Sequence, residues 1–242
     1  MLDLDHARLS DPGKARDHNE DYLGYSQPAT ADEGRSHGWL FALADGLGGH
    51  ERGEVASRAA VERLVELFQA APRDEPLGPL LTRLFRDVNA HIYGLADGSG
   101  MATTLVACVL RYDRAVIAHA GDSRCYLVRD GEAQVLTRDH SAARNKLTRS
   151  VGSELFLNVD TTELNVIPGD VLALCCDGLH TAVPDTEIAA IAGRHPRLDA
   201  AARELVDLAN QRDGSDNISV QLIRVRSVER VGMYRGRVYK LR

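Results

Sequence analysis

An α+β layered domain is what this sequence predicts, and three observations predict it: short apolar runs of strand length, amphipathic stretches in consecutive pairs, and strands grouped with strands instead of alternating with helices. The 242 residues are enough for one well-buried core, and no linker divides them. The strand-like runs are WLFALA at 39–44, TTLVACVL at 103–110, RAVIAHA at 114–120, CYLV at 125–128, DVLALCC at 170–176 and ISVQLIRV at 218–225. Two connections read as hairpins, RYDRA at 111–115 and VRDGEAQVL at 128–136, where Asp130-Gly131 supplies the positive φ of a tight turn. These neighbours are expected to pair antiparallel.

Helical spacing runs from Glu54 to Ala71, with Val55, Ala59, Leu64, Val65 and Phe68 on one face, and from Leu77 to Leu95, with Leu80, Leu81, Leu84, Val88 and Ile92. A second helix pair is expected at Asp185–Ala192 and Asp199–Gln211. The last stretch, from Arg226 to Arg242, is basic with some apolar alternation and reads as an edge strand or a frayed tail.

Composition narrows the function classes. With 44% apolar and 26% charged residues and a net charge of −6, the chain asks for no nucleic-acid partner. No apolar run approaches the roughly 18 residues of a membrane span, and the N-terminus lacks the pattern of a signal peptide, so a cytoplasmic location is expected. Cys108, Cys125, Cys175 and Cys176 lie in apolar runs without CxxC spacing, which reads as buried free thiols and not as disulfides or a zinc site.

One arrangement recurs. Apolar runs end in, or are directly preceded by, an aspartate beside a turn residue in ALADGLGG (Asp45), AHAGDSRC (Asp122), LCCDGLH (Asp177) and DGSDNIS (Asp216), and GKARDHNEDYLGY adds Glu20 and Asp21. Singly these are ordinary turn formers. Together, at neighbouring strand ends, they would repel one another unless a cation neutralised them. Oxygen donors alone favour magnesium or manganese, and a glycine after Asp45 lets the Gly46 carbonyl approach as a further ligand. Two such ions roughly 3.5–4 Å apart can share a water, lower its pKa and direct it at a phosphoryl group. Arg16, four residues before Glu20, is the candidate for the phosphate, since a guanidinium matches phosphate oxygens two at a time; spacing alone fits a surface arginine equally well.

The ordered words GKARDHNED, ADGLGGH, ATTLVACVL, AHAGDSRCYLVRDG, LTRDHS, NKLTRSVG, CCDGLH and SDNISV, from about Leu9 to Val225, resemble the bacterial metal-dependent serine/threonine protein phosphatases of the type 2C (PPM) family. The resemblance implies a four-layer α-β-β-α sandwich, two packed antiparallel sheets flanked by helix pairs. It implies a catalytic domain over 1–225 followed by a basic extension over 226–242. It also implies that Glu20, Asp45 and the Gly46 carbonyl hold one Mn2+ or Mg2+ ion, and that Asp45, Asp177 and Asp216 hold the other. By the same resemblance Asp122, with Asp177, can hold a weaker third ion, Asp21 orients metal-bound water, and Arg16 binds phosphate. Asn217 and Ser219 are expected to organise the turn holding Asp216, and Arg124, Asp139, His140 and Arg149 to form buried polar networks. His50 is expected to pack near the site.

Two features depart from the family pattern. Leu47 follows the Asp-Gly pair where some eukaryotic members carry a histidine proposed to protonate the leaving group. The mobile flap of bacterial members is essentially missing, because only Ala142, Ala143 and Arg144 separate Ser141 from Asn145; this predicts a more open cleft. The expected activity is hydrolysis of phosphoserine and phosphothreonine in proteins by a monomer that opposes a bacterial serine/threonine kinase. The alternative is a catalytically silent phosphatase-like module that binds phosphoproteins.

Overall fold

The computed structural model describes residues 2–47, 51–143, 146–234 and 237–240. In chain order its first half contains β1 (Asp3–Asp11), β2 (Asp21–Ser26), α1 (Ala31–Ser36), β3 (Trp39–Leu47), α2 (Glu51–Gln69), α3 (Leu77–Ala96), β4 (Ala102–Thr103), β5 (Leu105–Arg111) and β6 (Arg114–Ala120). There follow β7 (Arg124–Arg129), β8 (Glu132–Val135), β9 (Ser141–Ala143), β10 (Lys146–Leu147), β11 (Asp160–Asn165) and β12 (Val171–Cys175). The last elements are α4 (Asp177–His180), α5 (Asp185–Arg194), α6 (Leu198–Arg212), β13 (Ile218–Ser227), β14 (Val231–Tyr234) and β15 (Arg237–Lys240).

Two antiparallel sheets result, in the spatial orders β1-β13-β12-β7-β8 and β11-β6-β5-β3-β2, with β4 attached to the end of β3. Because successive strand residues point to opposite faces, each central strand must be apolar on both. In β3, Phe41 and Leu43 lie beside Val106 and Cys108 of β5 and face the other sheet, where they meet Leu172, Leu174 and Ile223, while Leu40, Ala42 and Ala44 face α2 and α3. Across the other sheet, Tyr126, Ala173, Val220 and Leu222 pack against α5 and α6. The layers are therefore helix pair, sheet, sheet, helix pair. Fully burying one side chain such as Phe41 contributes about 2–3 kcal/mol.

The structure corrects four details. Strand β3 does not stop before Asp45: it continues to Leu47 by changing partner from β5 to β4, so that Gly46 lies opposite Thr103. The first long helix begins at Glu51, and Val55 is exposed; its buried stripe is Ala56, Ala60, Val61, Leu64 and Phe68, one position on. Strands β1, β2 and β11 had no apolar run to announce them. Finally, the C-terminal strands β14 and β15 pair with each other and extend neither sheet.

In place of a flap, β9 and β10 pair directly as a short antiparallel ladder. Arg144, Asn145 and His50 lie outside the described residues. All four cysteines are buried and free. Among the described residues no helix is long and apolar enough to cross a membrane.

Candidate metal centre

The alternation that fills the middle of the sandwich with apolar groups turns acidic at one end. Asp45 is in phase with Phe41 and Leu43, so its carboxylate follows them into the space between the sheets, and Asp21 is its direct partner across the β2–β3 ladder. Asp122 lies in the turn from β6 to β7, Asp177 follows β12, and Asp216 precedes β13. Neighbouring strands bring these turns together, and they open into a cavity of about 520 Å³.

Seven of the eight residues singled out in the sequence line that cavity: Arg16, Glu20, Asp45, Gly46, Asp122, Asp177 and Asp216. Leu47 and Leu147 supply apolar wall, and His18, Thr104 and Asn217 complete much of the remainder. Asp21 does not line it; the side chain is buried, and both carboxylate oxygens lack a hydrogen-bond partner. The nearby Ser219 hydroxyl bonds Ser10 at 2.7 Å, and the Cys176 thiol donates to the Asn217 carbonyl at 3.3 Å.

Like charges crowded together and withdrawn from bulk water shift proton affinity in a readable way. Burial pushes the Asp21 carboxyl up to about 7, with Asp177 and Asp216 adding to the rise and Ser219 and Cys176 opposing it. Asp45 is raised well above the ordinary carboxylate range by burial first, then by Asp21, Asp177, Asp216 and Asp122. Burial and Asp177 lift Asp122 to about 6. Such a cluster needs positive charge. Its donors are carboxylate and carbonyl oxygens; the adjacent Cys176 thiol is held in its protonated form by burial and by the surrounding acids. An orphaned buried carboxylate beside an all-oxygen donor set suits a hard divalent cation and not zinc.

Arg16 reaches the same place. Its Nη2 donates to Asp216 Oδ2 at 2.9 Å, with the guanidinium half exposed at the cavity. The loop that carries it is tied down by Asn217, whose side-chain amide donates to the carbonyls of Pro12 at 3.0 Å and His18 at 2.9 Å and accepts from the Glu20 N–H at 2.8 Å. Asn217 therefore does more than shape the Asp216 turn, where its own N–H donates to Asp216 Oδ1 at 2.9 Å: it fastens residues 12–20 to that turn. Gly46 has a steric reason to be glycine, since a Cβ there would collide with the Gly53 carbonyl and crowd that of Glu20.

The expected polar networks are present. Arg124 grips Asp139 through Nε and Nη2 at 2.9 and 2.7 Å and donates to the Tyr126 hydroxyl, which in turn donates to Asp185. Arg149 joins His140 and Asp160. Although the ligand atoms of His119, His140 and Asp160 lie within 4.8 Å of one another, the Arg149 guanidinium is 2.9 Å from His140 Nε2 and 2.7 Å from Asp160, so an arginine already provides that cluster's cation. Sequence reasoning assigned no role to Thr104 or to the long-range bonds of Asn217; the paired threonines heading an apolar strand were the one available signal.

The model of the protein phosphatase 2C family matches residues 16–222. The serine/threonine phosphatase stp of Listeria monocytogenes is 34% identical over 245 residues, covering 90% of this chain and 95% of that one. Among solved structures, the serine/threonine phosphatase of S. agalactiae superposes with a TM-score of 0.82 at 30% identity, covering 92% of this chain and 99% of that chain. The catalytic domain of the serine/threonine protein phosphatase PstP, solved in complex with two manganese ions, gives 0.80 at 31% identity, with 94% of this chain and 100% of that chain covered.

Proposed function

The chain belongs to the protein phosphatase 2C family, and on that premise we propose that it hydrolyses phosphoserine and phosphothreonine in proteins with the carboxylate cavity as its metal centre. The observation that carries this reading is the meeting of Glu20, Asp45, Asp122, Asp177 and Asp216 around one space. In this reading Glu20, Asp45 and the Gly46 carbonyl hold one Mn2+ or Mg2+ ion, and Asp45, Asp177 and Asp216 hold the second. Asp122 faces the same cavity as Asp177 and is the candidate for a weaker third ion. When bound there, such ions would supply an activated water for attack on phosphorus and positive charge for the phosphoryl oxygens.

The protein's own groups do the rest. Arg16 receives the phosphate and is held towards it by Asp216. Asp21, buried opposite Asp45 in the β2–β3 ladder and of raised proton affinity, would orient metal-bound water. Leu47 and Leu147 give the cavity apolar wall, and β9 and β10 pair as a short ladder where a flap would otherwise leave the sequence. A cognate serine/threonine kinase, a cytoplasmic location, a monomeric state and a catalytic unit over 1–225 belong to the same proposal. The silent-module alternative is not favoured, because the acidic set is present and converges.

The test is hydrolysis of a phosphothreonine peptide with Mn2+, with excess chelator, and by Asp45→Asn. Activity only in the wild type with metal is expected. Hydrolysis that survives both chelation and the substitution would defeat the metal reading, and no hydrolysis with any divalent ion would favour the silent module.

A further inference from the structure

We propose that Thr104 is a positioning residue that sets the spacing between the carboxylates of Asp45 and Asp122, acting through its hydroxyl. The inference rests on the metal reading above.

Thr104 lies at the one-residue break between β4 and β5, where β3 exchanges one strand partner for the other. A regular ladder would give Asp45 backbone partners at that point. Here the Asp45 N–H donates to Thr104 Oγ1 at 2.9 Å, and the Asp45 carbonyl accepts from the Thr104 N–H at 2.8 Å and from Thr103 Oγ1 at 2.8 Å. Both backbone polar groups of the central carboxylate residue thus depend on the two threonines. An irregularity of this kind re-aims a side chain, and the hydroxyl stands in for the lost ladder bond.

The same hydroxyl reaches the neighbouring turn. Thr104 Oγ1 hydrogen-bonds Ser123 Oγ at 2.8 Å, with both residues buried, and Ser123 directly follows Asp122. Gly121, on the other side of Asp122, has φ +113°, and a Cβ there would run into the Thr104 side chain. The His140 backbone N–H donates to the Gly121 carbonyl at 3.0 Å and His140 Nδ1 accepts from the Gly121 N–H at 3.2 Å, so the turn is gripped from its far side as well. One hydroxyl therefore touches the backbone of Asp45 and the residue after Asp122, two places 78 positions apart in the sequence. A divalent ion tolerates little error in ligand placement, and partners that orient its ligands typically matter by about 10–100-fold in affinity.

Thr104→Val keeps the shape and methyl packing against Gly121 while removing the hydroxyl; Thr104→Ser does the opposite. Ser123→Ala removes the other end of the link. The measurement is isothermal titration of chelator-stripped protein with Mn2+, with thermal melts as the control for folding. Thr104→Val is expected to lose about tenfold or more in Mn2+ affinity, Ser123→Ala to weaken binding in the same direction, and Thr104→Ser to stay within about threefold of wild type. Wild-type affinity in Thr104→Val or in Ser123→Ala overturns the proposal, as does a Thr104→Ser variant as weak as a folded Thr104→Val. If Thr104→Val does not fold, Ser123→Ala and Thr104→Ser decide. A wild-type protein that takes up no Mn2+ would instead defeat the metal reading itself, which keeps the two failures apart.

Discussion

Asp21 and Asp45 stand directly opposite each other in the β2–β3 ladder, two carboxylates at the cavity end of the sandwich with no hydrogen bond to either oxygen of Asp21. A pairing of this kind is destabilising by itself, because like charges across a ladder repel and burial withholds the water that would screen them. It becomes useful once a cation is part of the structure.

The first prediction concerns pH. Burial raises Asp21 from 3.8 to about 7 and Asp122 to about 6, so in the absence of metal the folded state holds protons that the unfolded state has released. Their contribution to stability is present below the ordinary carboxylate value and is lost as pH rises through the folded values. His6, His119 and His180, each lowered by burial, act oppositely across the range centred on about 6.5 in which the unfolded imidazoles titrate. Melting of chelated protein between pH 7 and 8 should therefore show a falling Tm with rising pH, and saturating Mn2+ should reduce that slope. Asp21→Asn should flatten it without metal.

Arg16→Ala should lower kcat/KM for a phosphopeptide by roughly thirtyfold, the equivalent of about 2 kcal/mol for a charge-assisted contact to phosphate. Arg16→Lys should restore only part of the loss, because an ammonium cannot present two parallel donors. Steady-state kinetics at fixed Mn2+ reads both, and an unchanged kcat/KM in Arg16→Ala would remove it from the site.

Asn217→Ala takes away three hydrogen bonds between residues 12–20 and the Asp216 turn. A stability loss of about 2–3 kcal/mol is expected, which for a chain of this size is roughly 4–12 °C in Tm. Calorimetry checks it. Since Glu20 and Arg16 both sit on the released loop, activity at a temperature where the variant is folded should fall as well.

The four thiols give an independent check on the core. Each cysteine is almost fully inaccessible, and burial raises each thiol pKa. A thiol-reactive dye should label none of them in the native protein and all four after unfolding. Fast labelling under native conditions would contradict the packing between the sheets.

Much of this was legible in the sequence, for physical reasons that differ from residue to residue. Strands β3, β5, β6 and β12 are buried on both faces and so read as continuous apolar runs. Strand β11, half-buried in strict alternation along DTTELN, and β1 along DLDHARLSD carry too few apolar residues to stand out, because only one face of an edge strand must be apolar. Val55 lies one position off the buried stripe of α2, because Ala56 and Ala60 are small and give the periodicity little weight. The acidic residues were legible because each sits beside a turn former at a strand end. Thr104 and Asn217 were not: their bonds join residues 59 and about 200 positions apart, and no local pattern encodes such distances.

The measurement that bears most directly on the central claim is the number of Mn2+ ions taken up by chelator-stripped protein. Titration calorimetry with a metal assay should find two tightly held ions per chain in the wild type and a loss of that binding in Asp45→Asn, the carboxylate common to both. No uptake by the wild type, or undiminished uptake by Asp45→Asn, would contradict a binuclear centre at the end of this sandwich.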